Sequence, residues 1–161
     1  EPHIALVLAK AAAGKGRVLP SAYFPLNGIE NLDLPVPADL ALAIARRESE
    51  FDAAVISHAG ARGLMQVMPE TARRMAARIG QSFDAGRLTG DWQYNARLGA
   101  AYLDVLREEF GPSAALIAAG YNAGPGRPRA WVKDFGDPRV GEIDIVDWIE
   151  MIPFTEPELR H

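Results

Sequence analysis

The chain has no cysteine and only three histidines, and aromatic residues make up just 8% of its 161 positions. Without cysteine there are no disulfides and no thiol nucleophile, and the chain suits a reducing or an oxidising compartment alike. His3, His58 and His161 stand apart, with no zinc-ligand spacing, no HExxH and no calcium-loop pattern, so neither a metal nor another cofactor is implied. No Gly-rich loop leads into Lys-Ser or Lys-Thr, which removes a phosphate cradle. No GxSxG elbow accompanies Ser49 or Ser57, which argues against a serine nucleophile. An excess of basic charge is missing too. The formal net charge is -4 with both signs interspersed, which argues against a nucleic-acid binder. No apolar run approaches the ~18 residues of a membrane span. Ile4-Ala5-Leu6-Val7-Leu8-Ala9 has the look of a signal-peptide core, but it has no basic leader and Lys10 interrupts it, so it reads as a short helix. A chain that begins at Glu1 rather than Met reads as processed or excised.

What is present suits one helical domain. Hydrophobic residues make up 48% of the chain, enough for a sizeable core. Residues 4–13 read as a helix ended by Gly14-Lys15-Gly16, and residues 17–36, rich in Pro and Gly, read as an irregular connection. Pro37 suits the first turn of a second helix, with Asp39 near its positive end. Residues 52–63 read as a loop, and Gly63 to Met68 fits either a short strand or a helical turn. Pro69-Glu70-Thr71 opens a helix that Gly80 closes. Asp91 caps the longest helix, on which Trp92, Ala96, Gly99, Leu103, Leu106 and Phe110 recur at helical spacing as a core stripe. Further helices are expected at 113–119, 129–135 and 143–150, with Tyr121 to Gly126 as a turn. Strand signals are few and there is no internal repeat, so the fold class is mainly α with little or no sheet.

The second helix carries a chemical oddity. Leu40, Ile44 and Glu48 lie four apart, so a carboxylate continues an apolar face. One reading is a solvated residue at a helix end. The other is a carboxyl held protonated by burial, which is what a general acid needs near neutral pH. Three further stretches stand out. Gly63 to Met68 sets two sulfurs and an amide beside a glycine. Tyr121-Asn122 sets a phenol and an amide before Gly124-Pro125. Trp148 to Phe154 adds a second carboxylate, Glu150. Together they supply the few placed polar groups and the apolar lining of a sugar site.

At these residues the chain resembles the catalytic domain of the soluble lytic transglycosylases, a family with a goose-type-lysozyme-like fold. The matching motifs are Glu48-Ser49, Gly63-Leu64-Met65-Gln66, Gly120-Tyr121-Asn122-Ala123-Gly124 and Glu150-Met151-Ile152-Pro153-Phe154, in the family's order and spacing. In the third motif Gly120 replaces the family's alanine. The resemblance covers roughly residues 37–156. It implies a lysozyme-like α domain with a substrate groove over 37–161, preceded by an N-terminal helix and irregular connection over 1–36. The family's closing helix does not follow Phe154 here, so the C-terminal end reads as truncated, and the chain reads as an excised domain or a compact member.

The resemblance also implies a reaction. Such enzymes cleave the bond between N-acetylmuramic acid and N-acetylglucosamine in peptidoglycan, in a lyase reaction that forms a 1,6-anhydro sugar. Glu48 is then the single acid and base, since substrate-assisted glycosidases need no second carboxylate. Ser57 matches a serine that contacts the muramic sugar, and Gln66 and Met68 match groove residues. Tyr121 and Asn122 match groups beside the catalytic glutamate, and Glu150 matches a groove carboxylate that faces the peptide stem. The implied partners are glycan strands and muropeptides, and the implied location is periplasmic or otherwise facing the cell wall. Two alternatives stay open: a muramidase that admits water, and a non-catalytic peptidoglycan-binding domain.

Overall fold

Proline and glycine set most of the helix boundaries. Pro69 opens one helix, and Gly80 (φ 70°) follows its end. Gly111 (φ 65°) stops the longest helix, and Gly136 (φ 101°) stops another. A computed structural model describes residues 2–18, 20–23 and 25–153. Among these, the helices are α1 (Pro2–Ala13), α2 (Pro20–Tyr23), α3 (Ala38–Ser49), α4 (Pro69–Arg78), α5 (Arg87–Gly90), α6 (Trp92–Phe110), α7 (Ala114–Ala123), α8 (Gly126–Phe135) and α9 (Ile145–Met151). Extended pairing among the described residues is limited to isolated bridges, Ile56 to Arg62 and Arg62 to Val67. The chain is therefore mainly α, as its sequence implies. Phe154 and the C-terminal stretch to His161, on which the truncation rests, lie outside the described residues.

The chain divides into two units, Glu1–Ala101 and Tyr102–His161, with α6 contributing residues to each. The first unit buries Leu6 of α1, Ile29, Ala41 and Ala45 of α3, Ala72 and Ala76 of α4, and Leu98 of α6. The buried residues of α4, Ala72, Met75 and Ala76, recur three and four apart, so one face of that helix meets the core. The connection between α1 and α3 is less irregular than its proline content suggests. It holds α2 and a 3₁₀ turn, Ile29–Asn31. Gly28 (φ 98°) precedes that turn because a β-carbon there would lie 2.9 Å from the Trp92 ring.

In the second unit the α6 stripe continues as predicted through Leu103, Leu106 and Phe110, all buried. Helix α7 packs here through Gly120, where a β-carbon would come within 3.0 Å of Leu106 and 3.2 Å of Phe110. That tight approach gives a physical reason for glycine at this position. Trp131 of α8 and Trp148 of α9 meet edge to face, with ring centroids 6.3 Å apart.

One expectation is corrected. Tyr121 and Asn122 do not lie in a turn but in the last turn of α7. Ser113 caps that helix by accepting from the Leu116 amide, and the helix runs on until Gly124 (φ 81°) and Pro125. Proline disfavours helical geometry in the residue before it, so the break falls at Gly124 rather than four residues earlier.

Glu109 of α6 and Arg129 of α8 form a forked ion pair, with Nη2 to Oε2 at 2.7 Å. The Arg129 hydrogen bond holds the Glu109 carboxyl below its usual range. A depressed folded-state pKa contributes stability above the ordinary glutamate value, about 4.3, and loses it as pH falls through the lower folded value. The pair is exposed, so solvent screening keeps the effect small. We expect Glu109→Gln to be less stable than the parent at neutral pH, with the gap closing in acid. Urea unfolding across pH checks this, and a gap that is constant with pH would contradict it.

Candidate active site

Glu48 sits in the last turn of α3 and is half-buried. The buried residues of that helix are Ala41, Ile44, Ala45 and Ser49, so Glu48 continues the stripe of 41, 44 and 45 at helical spacing. The carboxylate therefore borders the packed face instead of lying opposite it. The helix ends abruptly. Glu50 (φ 52°) and Phe51 (φ 66°) are both left-handed, and neither is glycine. Such residues cost of order 1–3 kcal/mol each and persist only where their surroundings hold them. Here Phe51 is buried, Nδ1 of His3 donates to the Glu50 carbonyl at 2.9 Å, and Lys10 pairs with the Glu50 carboxylate. Helix α1 thus secures the segment that follows Glu48.

Ser49, next to Glu48, is buried, and its hydroxyl donates to the carbonyl of Leu64 at 2.6 Å, with the Ala45 carbonyl also in reach at 3.1 Å. This bond ties the end of α3 to the loop of residues 55–67. That loop is neither the strand nor the helical turn its sequence allows. Arg62 and Val67 exchange backbone bonds of 3.1 and 3.0 Å and enclose the turn Gly63-Leu64-Met65-Gln66. The Gly63 amide donates to the Val55 carbonyl at 2.8 Å. Gly63 (φ 74°) has no room for a side chain, since a β-carbon would lie 2.0 Å from the Leu88 carbonyl oxygen.

Gln66 is the third non-glycine residue with positive φ, at 48°. Its Nε2 donates to Val55 at 3.1 Å and to Gly63 at 2.9 Å. Two carbonyl acceptors fix which end of the amide is nitrogen and leave Oε1 as its outward acceptor. Ser57 closes a smaller turn, its Oγ accepting from the Ala61 amide at 3.0 Å, so its own proton remains for donation. Met68 follows the loop and is 42% exposed.

Asn95 is a residue that sequence reasoning missed. It lies on α6 fully buried. Its Oδ1 accepts from the Met65 amide at 2.8 Å, and its Nδ2 donates to the carbonyls of Arg62 at 2.8 Å and Leu88 at 2.9 Å. The signal was available, since Asn95 is a polar residue adjoining the apolar stripe of Trp92, Ala96 and Gly99.

In the first unit, the bond from Ser49 to Leu64 thus ties the helix end that carries Glu48 to the loop that carries Ser57 and Gln66, which Met68 follows. Tyr121, Asn122 and Glu150 belong to the second. Tyr121 is half-buried and its ring meets that of Tyr102, with centroids 5.4 Å apart. Asn122 and Glu150 are exposed, on α7 and α9. Among the described residues, no group of three or more acidic or histidine side chains is placed to hold a metal ion, and no helix is long and apolar enough to cross a membrane.

With this geometry in view, residues 29–141 match the family described as the transglycosylase SLT domain, and the chain belongs to that family. It is 41% identical over 124 residues to the soluble lytic murein transglycosylase of Escherichia coli K12, a match covering 75% of this chain and 18% of that protein. It thus spans under a fifth of that relative's length. The fold matches the 70 kDa soluble lytic transglycosylase of E. coli with a TM-score of 0.79 and 33% identity, over 98% of this chain and 26% of the other. It also matches the lytic transglycosylase Slt of Pseudomonas aeruginosa, solved as an inactive glutamate-to-glutamine mutant, with a TM-score of 0.73 and 29% identity, over 97% and 28% of the two chains. The fold is thus lysozyme-like, as the resemblance implied. The family match takes in three of the four sequence motifs. Glu150 lies beyond it, and Phe154 is also outside the described residues.

The Gly63 geometry sets a test. Alanine there meets backbone, so Gly63→Ala combines a left-handed cost of about 1–2 kcal/mol with overpacking of about 1–3 kcal/mol. Gly60 (φ 89°) has nothing within 4 Å of a β-carbon, so Gly60→Ala bears only the first term. Urea unfolding should rank Gly63→Ala well below Gly60→Ala, and equal stabilities would contradict the close approach to Leu88.

Proposed function

We propose that this chain, from residue 37 onward, is the catalytic part of a lytic murein transglycosylase. It would cleave the bond between N-acetylmuramic acid and N-acetylglucosamine in peptidoglycan and leave a 1,6-anhydromuramic product. The observation that carries this is the placement of Glu48: a half-buried residue bordering the packed face of α3, beside a serine bonded to the loop that holds Gln66. An inactive glutamate-to-glutamine mutant among the solved relatives supports the same assignment.

The chemistry balances with one carboxyl group. Protonated Glu48 gives its proton to the glycosidic oxygen as the bond to the muramic C1 breaks. The acetamido oxygen of the muramic sugar stabilises C1 from the opposite face. Glu48, now a carboxylate, takes the proton of the muramic C6 hydroxyl while that oxygen bonds to C1 and displaces the acetamido oxygen. Glu48 ends protonated, and no water is consumed.

The remaining residues bind and orient. The Ser57 hydroxyl is a donor and Gln66 Oε1 an acceptor for the sugar's amide and hydroxyl groups. The exposed Met68 side chain offers apolar contact to a sugar face. By the family resemblance, Tyr121, Asn122 and Glu150 are glycan-contact candidates carried by the second unit, Tyr121 and Asn122 on α7 and Glu150 on α9. Because the substrate is peptidoglycan, the chain works where it meets the cell wall.

Glu48→Gln keeps the side-chain shape but removes the transferable proton. It should lower the release of soluble muropeptides from purified peptidoglycan by about 10²–10⁴-fold. Equal release by both forms would refute the assignment. Tyr121→Phe should reduce turnover more than it reduces glycan affinity, and unchanged turnover would remove Tyr121 from the reaction.

A further inference from the structure

We propose that Asn95 is a positioning residue for glycan binding and cleavage, acting through Gln66. The inference rests on the transglycosylase reading and adds a residue to it. Asn95 is fully buried, and its carboxamide meets three main-chain groups from two segments of the chain: Met65 N–H and Arg62 C=O in the turn, and Leu88 C=O in α5. None of these bonds serves α6, which Asp91 caps through the Tyr94 amide.

The turn gains an external partner. Its own backbone bonds join Arg62 to Val67 and Gln66 to Gly63, and Asn95 adds an acceptor for the Met65 N–H. The Arg62 carbonyl already accepts from Val67, and Asn95 fills its second lone pair. On the other side of the same turn, the Leu64 carbonyl is taken by Ser49. The four turn residues are thus held from α3 and from α6 at once. The outcome is a defined position for Gln66, whose left-handed backbone and doubly bonded Nε2 leave Oε1 as its one outward acceptor.

An apolar residue at this site could make none of the three main-chain bonds, and only a carboxamide offers one acceptor and two donors in this arrangement. Aspartate is nearly the same shape, but its carboxylate has no donor and would face two carbonyl oxygens. A protonated aspartate regains one donor, so the defect it causes should ease toward acid.

The test is a double-mutant cycle read as glycan binding in the Glu48→Gln chain, which needs no turnover. The probe is a purified peptidoglycan glycan strand, and folding is checked by circular dichroism. Asn95→Asp should weaken binding about tenfold where Gln66 is present, and hardly at all in the Gln66→Ala background. The loss should shrink as pH is lowered. If the aspartate form does not fold, Asn95→Ser, which adds no charge, replaces it in the same cycle. Equal losses in both backgrounds would show that Asn95 serves only general stability and would overturn the proposal. Binding by none of the forms would overturn it together with the glycan reading.

Discussion

There is no space for a carbon atom at Gly63. Its backbone lies against the Leu88 carbonyl so closely that a β-carbon would sit 2.0 Å from that oxygen and 2.5 Å from the Asn95 amide nitrogen. The docking of the 62–67 turn in the first unit depends on that approach. It lets a turn with no room for a side chain at its first position dock on α5 and α6, where Asn95 supplies bonds that a sheet neighbour would otherwise supply. A second close contact reinforces it, since a β-carbon at Gly99 of α6 would lie 2.5 Å from the Met65 sulfur. Two glycines, one asparagine and one serine therefore fix a turn that has almost no regular secondary structure of its own.

The end of α3 shows the same logic from the other side. Left-handed geometry at Glu50 and Phe51 ends the helix directly after Glu48-Ser49 and is held in place by α1 and by burial of the Phe51 ring. Conformational cost is thus concentrated next to the carboxyl proposed as acid and base, with a third left-handed residue at Gln66. Ser49 links the two strained segments. In the sequence it looked like a candidate nucleophile to be excluded. In the structure its hydroxyl is committed to the Leu64 carbonyl, and its role is mechanical.

Much of this was legible in the residues. The spacing of Trp92, Leu103, Leu106 and Phe110, and the punctuation by Pro69, Gly80 and Gly111, foretold the main helices because periodic burial and backbone restriction are local properties. Helix α5 and the 3₁₀ turn Ile29–Asn31 were not legible, since three or four residues are too few to show a period. The helical setting of Tyr121 was obscured because Asn, Gly and Pro announce that a helix ends nearby but not at which residue. Left-handed Glu50 and Phe51 carry no glycine to announce them. Asn95 could have been found by the reasoning that singled out Glu48, a polar group beside an apolar stripe. Its meaning lay in Arg62, Met65 and Leu88, which only the fold brings to it.

The central claim is that one carboxyl group, Glu48, both gives and recovers the proton, so that the sugar's own hydroxyl takes the place of water. Digestion of purified peptidoglycan in water enriched in heavy oxygen, followed by mass analysis of the muramic end, tests this most directly. The account predicts products lighter than the reducing-end form by one water and carrying no heavy oxygen. Labelled, reducing muramic ends would contradict it and show that water reaches the centre.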